Sequence, residues 1–180
     1  MKNTTVARNY AEALLAVAEG RGEVESFGHL MDAVAGAVIA DERIALALES
    51  PRVPKAKKTG ILEEALEDVA PPEFVRFLQA VVRRGRQGLL PDIAREYQGL
   101  VDLRLNRVHA AVTLAKEPDA PLRRQVVERL ARALGKDVRA LFRADPAILG
   151  GVVVRVGDRI FDGSVRRRMQ RLRRKMLGVE

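Results

Sequence analysis

The 180-residue chain has no cysteine and no tryptophan, and aromatic residues make up only 4% of it. Without thiols there can be no disulfide, no Cys-held zinc or iron–sulfur cluster and no thiol nucleophile, and a cytosolic compartment is expected. Histidine is nearly as scarce. His29 and His109 fall in different segments with no His-x-x-x-His or Glu-x-x-His spacing, so no imidazole-built metal or catalytic site is expected. Long apolar runs are missing too. The longest uncharged stretch, Pro146 to Val154, is far shorter than the ~18 residues a membrane span needs, and no apolar segment precedes Arg8. Neither membrane insertion nor a secretory signal is therefore expected.

The usual catalytic constellations are equally thin. Ser164 sits in Asp162-Gly163-Ser164-Val165, which lacks the trailing glycine of a nucleophile elbow. Gly150-Gly151 runs into the strand-like Val152-Val153-Val154, whereas a phosphate cradle needs a helix N-terminus there. These glycines read as backbone geometry or close strand packing. Glu63-Glu64 and Glu67-Asp68 read as a solvated helix face. No enzyme activity and no cofactor are expected.

What the chain does have is a core and an uneven charge. Hydrophobic residues reach 47% and charged residues 31%, enough for a packed interior, and one built from Ala, Leu and Val leans helical. Residues 1–106 carry 14 basic and 16 acidic side chains, net −2, while residues 107–180 carry 18 and 8, net +10. Arg166, Arg167, Arg168, Arg171, Arg173, Arg174 and Lys175 crowd one late segment. Such asymmetry points to two domains and an acidic partner for the second, or else to a solvated basic helix face. A nucleic-acid-binding protein using this Arg-rich helix is the alternative reading. Against it, the segment has no interleaved aromatics and no reader motif.

Periodicity predicts helices from Thr4 or Thr5 to Ala18, about 23–40, 41–49, 55–68, from Pro72 or Glu73 to Arg84, and from Leu89 to about Asn106. The pattern then changes to a strand over 108–115, a helix over 122–134, strands over 138–144 and 151–156, a Gly157-Asp158 hairpin turn, and a short strand over 159–162. Ser164 is expected to cap a last helix in which Val165, Met169, Leu172 and Met176 form an apolar stripe. The first and fifth helices stand out because only a narrow stripe of each is polar. Their surplus apolar surface has two explanations: central burial, or a shared groove that accepts an amphipathic helix from a partner.

The segment Leu149 to Leu172, with Gly150-Gly151, Gly157-Asp158, Asp162-Gly163-Ser164, Met169 and Leu172, resembles the signature of the delta-subunit family of bacterial F-type ATP synthase. The mitochondrial counterpart is the oligomycin-sensitivity-conferring protein. Val6-Ala7-Arg8 with Tyr10-Ala11, and Gly85-Arg86 followed by Leu89-Leu90-Pro91-Asp92, extend the resemblance along the chain. Met169 stands where leucine is usual, and Arg84 where asparagine is common.

The resemblance implies a mostly α fold: an N-terminal six-helix bundle over 1–106 and a small C-terminal α/β domain over 107–180. It also implies a non-catalytic stator subunit, linking the alpha–beta head of F1Fo ATP synthase to the peripheral stalk and resisting rotation during proton-driven synthesis. The first domain would grip the N-terminal helix of an alpha subunit in a groove carried by Val6, Ala7, Tyr10, Ala11 and Leu14 of the first helix and Phe74, Phe77, Leu78 and Val81 of the fifth, with Phe27 nearby. The second domain would bind the C-terminal ends of the b-type stalk subunits, with Arg167, Arg171 and Arg174 as expected contacts to acidic groups. Gly150, Gly151, Gly157, Asp162, Gly163 and Ser164 would be fold determinants of the signature. The implied place is peripheral, on the cytoplasmic face of the bacterial cell membrane, with no nucleic acid bound.

Overall fold

A computed structural model describes residues 2–177, as two compact units that part between Arg104 and Leu105. The first is helical, with α1 (Lys2–Arg21), α2 (Val24–Ala40), α3 (Glu42–Glu49), α4 (Lys55–Leu66), α5 (Pro72–Arg83) and α6 (Leu90–Arg104). A 3-10 turn at Gln87–Leu89 leads into α6. The second carries β1 (Arg107–Leu114), α7 (Ala120–Leu134), β2 (Asp137–Ala144), β3 (Val152–Val156), β4 (Arg159–Asp162) and α8 (Val165–Met176). The protein is thus mostly helical, a helical domain plus a small α/β domain.

Local signals explain where most elements stop. α1 starts before Thr4 and Thr5, so the expected start there is corrected, and it runs past Ala18 to Arg21. The helix ends where Gly22 turns left-handed (φ +70°), letting Gly22 N–H reach Glu19 O and Glu23 N–H reach Ala18 O. Asp41 caps α3 by accepting from Arg43 N–H at 2.8 Å. Asp119, unrecognised from sequence, caps α7 by accepting from Leu122 N–H at 2.9 Å. Pro72 occupies the first turn of α5, where its missing N–H costs nothing.

α6 runs along α1 and α2, and Ala7, Leu14, Phe27, Met31, Phe74, Leu78, Leu90, Ile93 and Tyr97 meet in the fully buried core. Each such large side chain contributes roughly 1.5–3 kcal/mol of burial. Tyr97 brings a polar atom inside, and its hydroxyl donates to Val24 O at 3.0 Å. Burial, with a smaller effect of the Glu19 charge, pushes this phenol up to about 12. The folded chain therefore holds the Tyr97 proton across pH 10–12 while the unfolded chain releases it. Stability should fall as pH rises through that window, by on the order of 2 kcal/mol. Urea melts at pH 8 and pH 11 should show about half of this drop in the native chain, the rest developing toward pH 12, and a smaller drop in Tyr97→Phe.

In the second unit the strand order is β2-β1-β3-β4. β1 and β2 are parallel, from Arg107 opposite Asp137 to Leu114 opposite Ala144, and α7 is the crossover such a pair requires. β3 is antiparallel to β1, and β4 to β3. Asn106 enters β1 with φ +49°, its side-chain amide donating to Gly135 O and its carbonyl accepting from Asp137 N–H. Alternate residues Ala110, Val112, Val138 and Val154 form a small core under Val126, Val127, Leu130 and Leu134 of α7.

Candidate docking surfaces

α1 carries two apolar stripes about 100° apart around the helix. Ala7, Ala11, Leu14 and Ala18 make the first, and all are fully buried. Val6, Tyr10, Ala13 and Val17, spaced by four, three and four, make the second. Val6 and Tyr10 are half-buried, and Ala13 and Val17 are exposed. α5 lies antiparallel alongside. Tyr10 meets Phe77 edge-on with ring centroids 6.3 Å apart, and Arg21 at the far end of α1 pairs with Glu73 at 3.1 Å. The hydrogen bond and charge of Glu23, then the charge of Glu73, raise the Arg21 pKa further above its ordinary value.

This geometry corrects most of the expected groove. Ala7, Ala11, Leu14, Phe27, Phe74, Leu78 and Val81 have no accessible surface. Phe27 packs edge-on against Phe74 at 5.6 Å inside the core. These seven side chains face the bundle's own axis and leave no surface for a partner to touch. Of the expected groove residues, Val6, Tyr10 and Phe77 keep partial exposure. Ala13 and Val17, which the expected groove did not include, are exposed and continue the Val6–Tyr10 stripe.

The second surface begins at a backbone clasp joining β3 to α8. Gly163 N–H donates to Val152 O, and Val165 N–H to Gly150 O, both at 2.9 Å. Gly151 has φ +79°, and a Cβ there would lie 2.4 Å from Gly163 O. Across the clasp, Val165 Cγ2 lies 3.2 Å from where a Cβ on Gly150 would stand. Asp162 accepts from Ser164 N–H at 2.9 Å, and buried Ser164 caps α8 by accepting from Arg167 N–H at 3.1 Å. The hydrogen bonds from Ser164, with smaller help from Arg167 and Arg166, hold the Asp162 carboxyl below the usual carboxylate range. Gly157 opens the β3–β4 turn with φ +56°.

Beyond the clasp α8 is solvated. Val165, Met169, Leu172 and Met176 are 38%, 58%, 60% and 80% exposed, so the stripe that should bury itself faces water. Arg167, Arg171 and Arg174 are exposed as well, but helical geometry puts them on the face opposite the stripe. Arg166 and Arg173 border the stripe on one side, and Arg168 and Lys175 on the other.

Among the described residues no group of three or more His, Asp or Glu side chains is placed to hold a metal ion. His29 and His109 are both exposed. A hollow of about 220 Å³ beside α4 and α5 has a mixed lining, Ala70, Pro72 and Val75 with Glu63, Glu67, Arg76 and Gln79, and Gln79 Nε2 donates to Glu63 at 3.2 Å. Among the described residues no helix is long and apolar enough to cross a membrane.

The sequence profile of the ATP synthase delta (OSCP) subunit matches residues 6–176. ATP synthase subunit delta of Gemmatimonas aurantiaca is 47% identical over 179 residues, covering 99% of this chain and 97% of that protein. The subunit of the same name from Chlorobium phaeovibrioides is 34% identical over 180 residues, covering 100% and 99%. Among solved structures, a chain of the Toxoplasma gondii mitochondrial ATP synthase hexamer superposes with a TM-score of 0.64 at 18% identity, over 95% of this chain and 97% of that one. At that identity the superposition speaks for the fold.

Proposed function

The chain belongs to the ATP synthase delta (OSCP) family, a non-catalytic structural subunit of ATP synthase, and from that premise we propose how its two units divide the work. The first unit, read as a six-helix bundle, caps the catalytic head by holding the N-terminal helix of an alpha subunit against Val6, Tyr10, Ala13, Val17 and Phe77. The second unit, through α8 and the β3–β4 hairpin, holds the ends of the b-type stalk subunits. The joint sits peripherally on the cytoplasmic face of the bacterial membrane and keeps the head from turning with the central shaft.

The observation that carries this reading is that each of two separately packed units leaves an apolar helix stripe at least partly exposed, Ala13 and Val17 beside half-buried Val6 and Tyr10 in the first and the α8 stripe in the second. A protein with one partner needs one such face, and a connector needs two. Apolar docking also suits the task, because burial of roughly 25 cal/mol per Å² resists salt better than exposed ion pairs do.

The test is reconstitution. Membranes depleted of this subunit and mixed with soluble head complex should regain proton pumping driven by ATP hydrolysis when the full chain is added. ATP hydrolysis by the head should continue without it. Recovery of pumping in its absence would refute the assignment of the chain as the coupling joint.

A further inference from the structure

The 12 residues of α8 span less than two heptads, and on the frame abcdefg they place Val165 and Leu172 at d and Met169 and Met176 at a. The positions that border such a seam, e and g, are then Arg166 and Arg173, and Arg168 and Lys175. All four are basic, and all four are exposed. The helix contains seven basic and no acidic residues, and Arg167, Arg171 and Arg174 occupy the outer c and f positions.

From this pattern we infer that α8 is one strand of a heterotypic two-helix coiled coil whose other strand is an acid-flanked amphipathic helix of a different polypeptide. The inference rests on the reading of the chain as a two-ended joint, and it names the chemistry of the partner at the second end. A second copy of α8 is a poor match, since basic e and g residues would face one another along the whole seam and repel. Glutamates at the partner's e and g positions pair with Arg166, Arg168, Arg173 and Lys175 instead. Nucleic acid would use the charge but leave the a and d side chains in water. An anionic membrane would take the stripe, yet α8 has no aromatic side chain of the kind that anchors interfacial helices.

The division of labour is specific. The seam supplies affinity by removing Met169 and Leu172 from water, and the bordering charges select the partner. The outer arginines contribute little beyond long-range attraction. The clasp matters because it fixes the start of α8 by backbone hydrogen bonds from Gly163 and Val165, leaving Met169, Leu172 and Met176 of the stripe unspent. A preformed helix loses less conformational freedom on docking.

The experiment uses the full chain and synthetic amphipathic helices with leucine at a and d. One carries glutamate at e and g, a second carries lysine there, and a third keeps glutamate but has serine at a and d. Fluorescence anisotropy should show the glutamate-flanked helix binding about tenfold or more tighter than either other probe. The variant Arg166→Glu/Arg168→Glu/Arg173→Glu/Lys175→Glu should reverse the preference toward the lysine-flanked helix. Arg167→Glu/Arg171→Glu/Arg174→Glu should keep the original order. These side chains are exposed, so circular dichroism should stay native in both variants. Equal binding of all probes, reversal by the outer triple, self-association lost in Leu172→Asp, or tighter binding to duplex DNA or anionic vesicles than to the glutamate-flanked helix would each overturn the inference. The reconstitution assay separates this from failure of the joint itself. Native chain that restores pumping but ignores the glutamate-flanked helix sinks the coiled coil alone, whereas native chain that does not restore pumping sinks the reading beneath it.

Discussion

Gly151→Ala is expected to destabilise the second unit by about 2–5 kcal/mol and to free α8 from β3. Two costs combine. An alanine at φ +79° enters the left-handed region, and its Cβ meets a backbone carbonyl, Gly163 O, at 2.4 Å. A flexible side chain could move aside, but Gly163 O belongs to the segment whose N–H is already tied to Val152 O. Gly157→Ala provides the comparison. Gly157 is also left-handed (φ +56°), but nothing lies within 4 Å of its added Cβ, so only the backbone term of about 1–2 kcal/mol applies. Urea denaturation of the full chain, followed by circular dichroism, reads both. If the two substitutions cost the same, the close approach at Gly151 has no energetic role and the clasp loses its explanation.

Phe77→Asp is expected to weaken capture of an alpha-subunit N-terminal helix about a hundredfold or more while leaving the fold intact. A carboxylate placed under a docked apolar helix is buried without a partner, a penalty of several kcal/mol. In the free chain Phe77 is partly buried against Tyr10 and the bundle core, so the carboxylate can still reach water but the lost packing should cost about 1–3 kcal/mol of stability. Tyr10→Asp should behave alike, as Tyr10 shares the ring contact. Phe74→Ala separates surface from core. Phe74 is fully buried, and its truncation should cost about 3–5 kcal/mol of stability. Titration of the alpha peptide by calorimetry, alongside melts of each variant, distinguishes these outcomes. Undiminished binding by both Phe77→Asp and Tyr10→Asp would remove the head-binding surface from α1 and α5.

Much of this was legible in the residues. The change from three-four spacing to alternation near residue 107 marks the helical and α/β parts, because each periodicity is a local property of the chain. Ser164 as a cap, Gly157-Asp158 as a turn and the α8 stripe were readable for the same reason. Asp119 escaped notice because Pro121 and Glu117 made its surroundings look like a plain turn, although a capping side chain acts only three residues away.

The sequence alone settled that α1 and α5 have more apolar surface than a bundle needs, and that α8 pairs a narrow apolar stripe with an excess of positive charge. Which stripe faces inward was decided only by tertiary packing. Ala7, Ala11 and Leu14 are as apolar as Val6, Tyr10 and Val17, and nothing local says that the first set meets α6 and the core while the second stays at the surface. The strand order β2-β1-β3-β4 and the approach of Gly151 to Gly163 lay beyond the sequence for the same reason: they join residues distant along the chain, and a periodic pattern records the sidedness of each element, not its neighbour.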